Sequence, residues 1–302
     1  MTKSVLVADI GGTFVRCAIV DATGAIAVEA RHELKLSQQE SDMHTVVRTI
    51  SALFKNYLQQ HPHITAIGIG FPGFFMRKQG LLLASPNLPL LKNIPLATML
   101  TEQLQRPVTI ENDALCAALG EQRFGAGQGA SHLLHITLGT GVGGGLIFAG
   151  EPFAGEHGMA AEFGHLPSGF AFNQPCGCSK MDCIESYASA TAIRNRYLQQ
   201  QSTPLEAHEI YQLAKQGEPF ARQLFDDAGV ALGRGIASAV NMLDLRTVTI
   251  SGGLIAAWDL LYPSISAALE ENLIPPHREK VAISPSILKD QAGLLGAAAL
   301  VL

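Results

Sequence analysis

Three times in this chain of 302 residues an apolar run stops at a cluster of glycines: Asp9-Ile10-Gly11-Gly12-Thr13, Gly139-Thr140-Gly141-Val142-Gly143-Gly144-Gly145 and Ser251-Gly252-Gly253. A strand that ends on residues without Cβ can turn through positive φ and bring backbone N–H groups close to an anion. Three such turns in an α/β pattern suit a ligand gripped at separate points, as a nucleoside triphosphate must be. The second turn spells G-x-G-x-x-G, but the dinucleotide motif has to open a helix, and residues 145–150 read as another strand. No Walker lysine follows any of the three turns. The Rossmann and P-loop readings are rejected.

Residues 5–8, 15–20 and 26–31 predict strands, joined by the first glycine turn and by the polar turn Asp21-Ala22-Thr23-Gly24. Apolar spacing predicts a helix over 43–60 and a strand over 66–70. The same order returns in mid-chain, with a strand over 133–137, the second glycine turn, a strand over 146–148 and a tight turn. That repeat predicts two related α/β domains, set at 1–112 and 113–287, with a C-terminal helix at 288–302 returning to the first. A long helix over 227–243 carries Gly229, Gly233 and Gly235. Each glycine costs a helix interior about 1 kcal/mol relative to alanine, so the helix is either closely packed against a neighbour or an imperfect buried one. The strand 247–250 leads to the third turn, and residues 293–300 form a small-residue helix.

Composition bounds the function. At 47% apolar and 16% charged residues the chain is not disordered. A net charge of −5 lacks the footprint of a nucleic-acid binder. Asp9 interrupts the only apolar run near the start, so no signal peptide is expected. Residues 133–150 are too broken by threonine and glycine for a membrane span. The expectation is a cytoplasmic protein with no membrane partner.

Five cysteines are too few, and odd in number, for a disulfide scaffold. Cys176, Cys178 and Cys183 cluster downstream of His165, and three thiolates with one imidazole make a closed tetrahedral zinc set. The alternative is a chance cluster of buried cysteines. A saturated set leaves no open position, so the metal would be structural. Cys17 and Cys116 read as core residues. Among carboxylates, Asp113 follows the strand-like Val108-Thr109-Ile110 and suits either a site at a strand's carboxyl end or a helix N-cap. Glu162 and Glu185 flank the cysteine loop and are either fixed acceptors for a polyol or solvated charge.

Together these segments resemble the ROK family of bacterial sugar kinases, within the actin-like ATPase superfamily, nearly end to end. The resemblance is carried by the first glycine turn, Gly70-Phe71-Pro72-Gly73, Ser85-Pro86-Asn87, Asn112-Asp113-Ala114, residues 138–145, Glu162-Phe163-Gly164-His165, Cys176-Gly177-Cys178, Cys183-Ile184-Glu185 and Ile250-Ser251-Gly252-Gly253. It implies a two-domain α/β fold of the actin-like (ribonuclease H-like) ATPase type, with a cleft that closes over hexose and ATP, and a homodimer. On this resemblance Asp113 is the general base for a hexose hydroxyl, most simply O6. Asn87, Asn112, Asp113, Glu162, His165 and Glu185 are the sugar set, and His165, Cys176, Cys178 and Cys183 bind structural Zn²⁺. Asp9, Gly11, Gly12 and Thr13 face phosphates and Mg²⁺; Gly139, Thr140, Gly141 and Gly143 hold phosphates, and Gly252 and Gly253 lie beside adenosine.

The chain departs from the family pattern at Phe14, where lysine is common, and at Ala161, Ser179 and Asp182, where glycine is common. Ser85-Pro86-Asn87-Leu88-Pro89-Leu90 and Gly164-His165-Leu166-Pro167 look most like D-allose kinases, and residues 138–148 match N-acetylglucosamine and glucose kinases as well. Allose ranks first as substrate. A transcriptional repressor of the same family would carry a helix-turn-helix domain ahead of the first turn, and Asp9 is only ninth in the chain. A non-catalytic sugar sensor is opposed by the intact Asp113, and a zinc hydrolase by the saturated ligand set.

Overall fold

Strand β1 (Ser4–Ile10) buries Val5, Leu6, Val7 and Ala8 completely, so both of its faces must be covered. Along the chain follow β2 (Phe14–Asp21), β3 (Ile26–Glu33), helix α1 (Met43–Gln60) and β4 (Ile67–Phe71). A small antiparallel sheet of β5 (Phe74–Met76), β6 (Leu81–Ala84) and β7 (Lys92–Ile94) precedes helix α2 (Leu96–Leu104), β8 (Val108–Asn112) and helix α3 (Asp113–Phe124). The main sheet has the order β3-β2-β1-β4-β8, antiparallel from β3 to β1 and parallel from β1 to β8. Asp42 caps α1 by accepting from the Thr45 N–H at 2.8 Å, and the helix buries Val46, Val47, Ile50, Phe54 and Tyr57 against the sheet's apolar residues.

These coordinates come from a computed structural model that describes residues 4–11, 14–34, 36 and 41–302. Gly12 and Thr13 of the first glycine turn lie outside the described residues. The remaining elements are β9 (Leu133–Leu138), β10 (Val142–Phe148), β11 (Glu151–Pro152), α4 (Glu185–Ala188), α5 (Ala190–Gln201), α6 (Ala207–Lys215), α7 (Pro219–Leu243), β12 (Thr247–Ser251), α8 (Trp258–Asn272), β13 (Ala282–Pro285) and α9 (Ala292–Ala299). The second sheet runs β11-β10-β9-β12-β13, with β9, β12 and β13 parallel. Position for position it has the order of the first sheet, which matches the repeat read from the glycine hairpins.

Two compact units result: residues 1–129, 145–160 and 290–302 form one, and residues 130–144 and 161–289 the other. The division falls later than the 112/113 cut expected from sequence, because α3 packs on α9 within the first unit. That contact is backbone to backbone. A Cβ at Gly296 would overlap the carbonyl of Cys116, and one at Gly120 the carbonyl of Ala292. In the second unit a Cβ at Gly229 would sit 2.7 Å from the Leu261 carbonyl oxygen, and one at Gly233 2.8 Å from Ala268 Cβ. The glycines of α7 therefore serve close packing on α8. Among the described residues no helix is long and apolar enough to cross a membrane.

The second sheet buries an imidazole among its polar side chains. His135 on β9 has its Nδ1 2.8 Å from Thr249 Oγ1 and its Nε2 2.8 Å from Ser251 Oγ, both on β12. Burial drives its pKa down from 6.5 to about 3. The unfolded chain binds a proton there that the folded chain refuses, so this group's contribution to stability falls as pH drops below 6.5 toward 3.

Two measurements test this packing. Gly296→Ala should cost about 2 kcal/mol in urea unfolding, the range for overpacking a rigid contact. The stability gap between wild type and His135→Gln should shrink by about 2 kcal/mol between pH 7 and pH 5, whereas a pH-independent gap contradicts a neutral buried imidazole.

Candidate active site

Parallel strands release their next residues at one edge of a sheet, and ligand sites in open α/β sheets gather there. In the first unit Asp9 near the end of β1, Gly70 of β4 and Asn112 of β8 stand at that edge. Asn112 caps α3: its side-chain oxygen accepts from the Leu115 N–H at 3.1 Å, and its Nδ2 donates to the Gly73 carbonyl at 3.1 Å. The capping role that sequence left open for Asp113 thus belongs to Asn112, and Asp113 is the first helical residue, its Oδ1 accepting from the Ala114 N–H at 2.9 Å. Asn87 is half-buried in the loop after β6. Ser85 ties that loop to the Pro72 carbonyl at 2.7 Å, and Asn112 bonds to the adjacent Gly73.

Behind Asp113 stands Glu111, buried, with Oε1 accepting from the Asn112 N–H at 2.8 Å and Oε2 3.7 Å from the Arg77 Nε. Burial raises its pKa, against the hydrogen bond from Asn112 and the charge of Arg77. Asp9 pairs with Arg16 at 3.0 Å, and Arg16 also holds Asp290 at 2.8 Å. The Gly11 N–H donates to the Phe14 carbonyl at 2.9 Å. Neither Glu111 nor Arg16 stands out in the sequence, since nothing local marks an ion-pair partner.

In the second unit the other two glycine turns meet. Gly139, Thr140, Gly253 and Leu254 line one cavity of about 340 Å³, whose wall includes Tyr211 and Phe225. At Gly139 and Gly253 a Cβ would meet nothing within 4 Å, so their backbones face open space. Gly252 has φ +98°, and a Cβ there would overlap the backbone of Leu138. Gly143 lies in β10, and Gly141 approaches the Glu185 carboxylate, which would be 2.5 Å from its Cβ. Tyr211 and Phe225 carry no motif and are brought to the cavity only by the packing of α6 on α7.

The cysteine loop lies beside Glu185. His165 ends a short 3₁₀ turn, and its Nδ1 lies 3.5 Å from Cys176 Sγ, while Cys178 and Cys183 sulfurs stand 3.7 Å apart. All four donor atoms lie within 4.8 Å of one another. A tetrahedral ion with metal–sulfur bonds of about 2.3 Å separates its ligands by about 3.8 Å, so the donor set fits zinc. The far ring nitrogen of His165, Nε2, faces Glu162 at 3.8 Å. Burial raises the Glu162 pKa, opposed by His165. Glu185 accepts from the Val142 N–H at 2.9 Å and stands 3.7 Å from Cys176 Sγ, so it joins the loop to the second glycine turn.

Asp182 organises the loop: its carboxylate accepts from the N–H groups of Asn173 and Gln174 at 3.1 and 2.8 Å and from the Tyr187 hydroxyl at 2.5 Å. Asp182, Ser179 and Ala161, the three positions where the family commonly has glycine, have φ of 55°, 69° and 64°. The left-handed backbone that favours glycine is kept here by other residues, and at Asp182 the side chain's hydrogen bonds offset the strain.

The ROK family model matches residues 5–302. The chain is 31% identical to a glucokinase of Thermotoga maritima, over 97% of this chain and 95% of the other. It is 30% identical to an N-acetyl-D-glucosamine kinase of Haemophilus influenzae, over 97% of this chain and 98% of the other. A crystal structure of a ROK family glucokinase from Streptomyces griseus, in complex with glucose and AMPPNP, superposes with a TM-score of 0.81 at 31% identity, covering 98% of both chains. The fold is the two-domain actin-like ATPase fold of these sugar kinases, and the chain belongs to the ROK family.

Proposed function

We propose that this protein is an ATP-dependent hexose kinase that phosphorylates the sugar at O6, with Asp113 as general base. The observation that supports the reading is the division of roles at the start of α3: Asn112 does the capping, so Asp113 need not serve as the cap. Phosphoryl transfer needs little covalent help from a protein; positioning and charge stabilisation supply most of the rate. Asp113 accepts the hydroxyl proton as O6 attacks the γ-phosphorus in line, and the β–γ bridging oxygen leaves with ADP. Asn87, Asn112, Glu162, His165 and Glu185 hold the other hydroxyls. Asp9 with Gly11, Gly12 and Thr13 meets Mg²⁺-ATP at its phosphates, Gly139, Thr140, Gly141 and Gly143 hold phosphates from the second unit, and Gly252 and Gly253 lie beside the adenosine.

The zinc set supports the sugar end. His165, Cys176, Cys178 and Cys183 would saturate the ion, which pins the loop and supplies no open coordination position. With Nδ1 committed to the metal, His165 Nε2 is fixed as a hydrogen-bonding group toward a sugar hydroxyl. Glu185, beside Cys176, is positioned by the same loop. Among hexoses, the resemblance of Ser85-Pro86-Asn87-Leu88-Pro89-Leu90 to D-allose kinases supports allose, and the similar glucokinase and N-acetyl-D-glucosamine kinase support glucose and N-acetylglucosamine.

Two experiments test the assignment. Asp113→Asn should lower kcat at least about 100-fold while hexose affinity stays within roughly tenfold, measured by coupled ADP release across allose, glucose, N-acetylglucosamine, N-acetylmannosamine, mannose and fructose. Near-normal turnover in that variant removes Asp113 as base, and no turnover of any hexose by the wild type rejects the kinase reading. The highest kcat/KM in the panel names the substrate. Stripping zinc with a chelator should raise the hexose KM roughly tenfold or more, with a smaller change in the KM for ATP.

A further inference from the structure

Helix α1 contains no acidic residue, in a chain whose net charge is −5. His44, Arg48, Ser51 and Lys55 recur along it at steps of three and four, so they share one stripe of the helix. Facing that stripe, α2 contributes Met99 and Glu102, and the two helices enclose a cleft of about 440 Å³. That volume lies within the range of small-ligand pockets. None of the lining residues belongs to the sugar, nucleotide or zinc sets.

Two features show what the cleft would take. Arg48 and Lys55 are exposed and make no ion pair among the described residues. Arg48 is near enough to Asp42 to add to the lowering of that carboxyl's pKa by the Thr45 N–H. Of the residues lining the cleft, these two cations stand against a single carboxylate, Glu102. Ser51, by contrast, is only 2% exposed, and its hydroxyl oxygen is buried with no hydrogen-bond partner. A buried hydroxyl left unpaired costs about 1–3 kcal/mol, and such a group in a native fold calls for a partner the protein itself does not supply.

We propose that the α1–α2 cleft is a second small-molecule site, one that binds a phosphate monoester of a sugar. Arg48 and Lys55 lie two turns apart, about 10 Å along the helix axis, and their long side chains can converge on one dianion. Ser51 and Glu102 then meet hydroxyls of the sugar, and Met99 meets its apolar face. Naming the ester as a hexose phosphate rests on the kinase reading, since that is the product the reaction forms, and the site would let product bind away from the catalytic residues.

The test uses the full-length protein and a local readout that needs no turnover. Lys55 is acetylated with limiting acetic anhydride and its modification is followed by peptide mass spectrometry. Glucose 6-phosphate at millimolar concentration should slow Lys55 acetylation roughly fivefold, the protection given by ligand at several times its Kd. Glucose should give none, and inorganic phosphate less than the ester. Arg48→Glu should abolish the protection with hexose turnover unchanged, and Ser51→Ala should weaken it. No protection by glucose 6-phosphate, or protection that survives Arg48→Glu, overturns the site; equal protection by inorganic phosphate overturns the sugar-ester class. Hexose-dependent ATP consumption by the same preparation is scored separately, so failure of the cleft and failure of the kinase reading are distinguishable.

Discussion

The parallel pairing of β9 with β12 brings Leu138 so close to residue 252 that no side chain fits there. The part proposed for the second unit in holding the nucleotide depends on that approach. It draws two glycine turns, more than a hundred residues apart in the chain, into one cavity lined by Gly139, Thr140 and Gly253. His135 reinforces it from within the sheet by bonding to two hydroxyls of the neighbouring strand. Its neutral state at working pH is a consequence of full burial, so the polar bridge adds no charge to the core.

Glycine has two separate uses in this molecule. At Gly139 and Gly253 the missing Cβ exposes backbone to open space, which suits a ligand. At Gly120, Gly296, Gly229 and Gly233 it lets helices approach until backbone meets backbone. The entropic cost of glycine in a helix is recovered in packing at those four positions. In the cysteine loop the relation reverses: Asp182 and Ser179 hold left-handed backbone without being glycine. Asp182 contributes hydrogen bonds that a glycine could not, so it ties the loop to Tyr187 and to the backbone of Gln174.

Within the second unit the cysteine loop is linked to the second glycine turn, so the residues proposed for sugar and for phosphate share one network. Cys176 touches Glu185, and Glu185 accepts from the N–H of Val142, within the second glycine turn. A metal that fixes the loop would therefore influence more than its own ligands. The cleft between α1 and α2 has no part in this network, and its basic stripe stands out against an acidic chain.

Much of this was legible in the residues alone. The helix over 43–60, the repeated glycine-marked hairpin and the cysteine–histidine set are local patterns, because side-chain periodicity, the absence of Cβ and ligand chemistry are properties of neighbouring residues. What sequence left open was settled by contacts between distant residues. Asn112 rather than Asp113 caps α3, since only the folded loop at Gly73 holds the Asn112 amide in place. The first unit keeps α3 because α9 returns to pack on it. Tyr211, Phe225, Glu111 and the unpaired hydroxyl of Ser51 acquire their meaning only from neighbours that tertiary packing brings to them, and no spacing along the chain encodes such a neighbour.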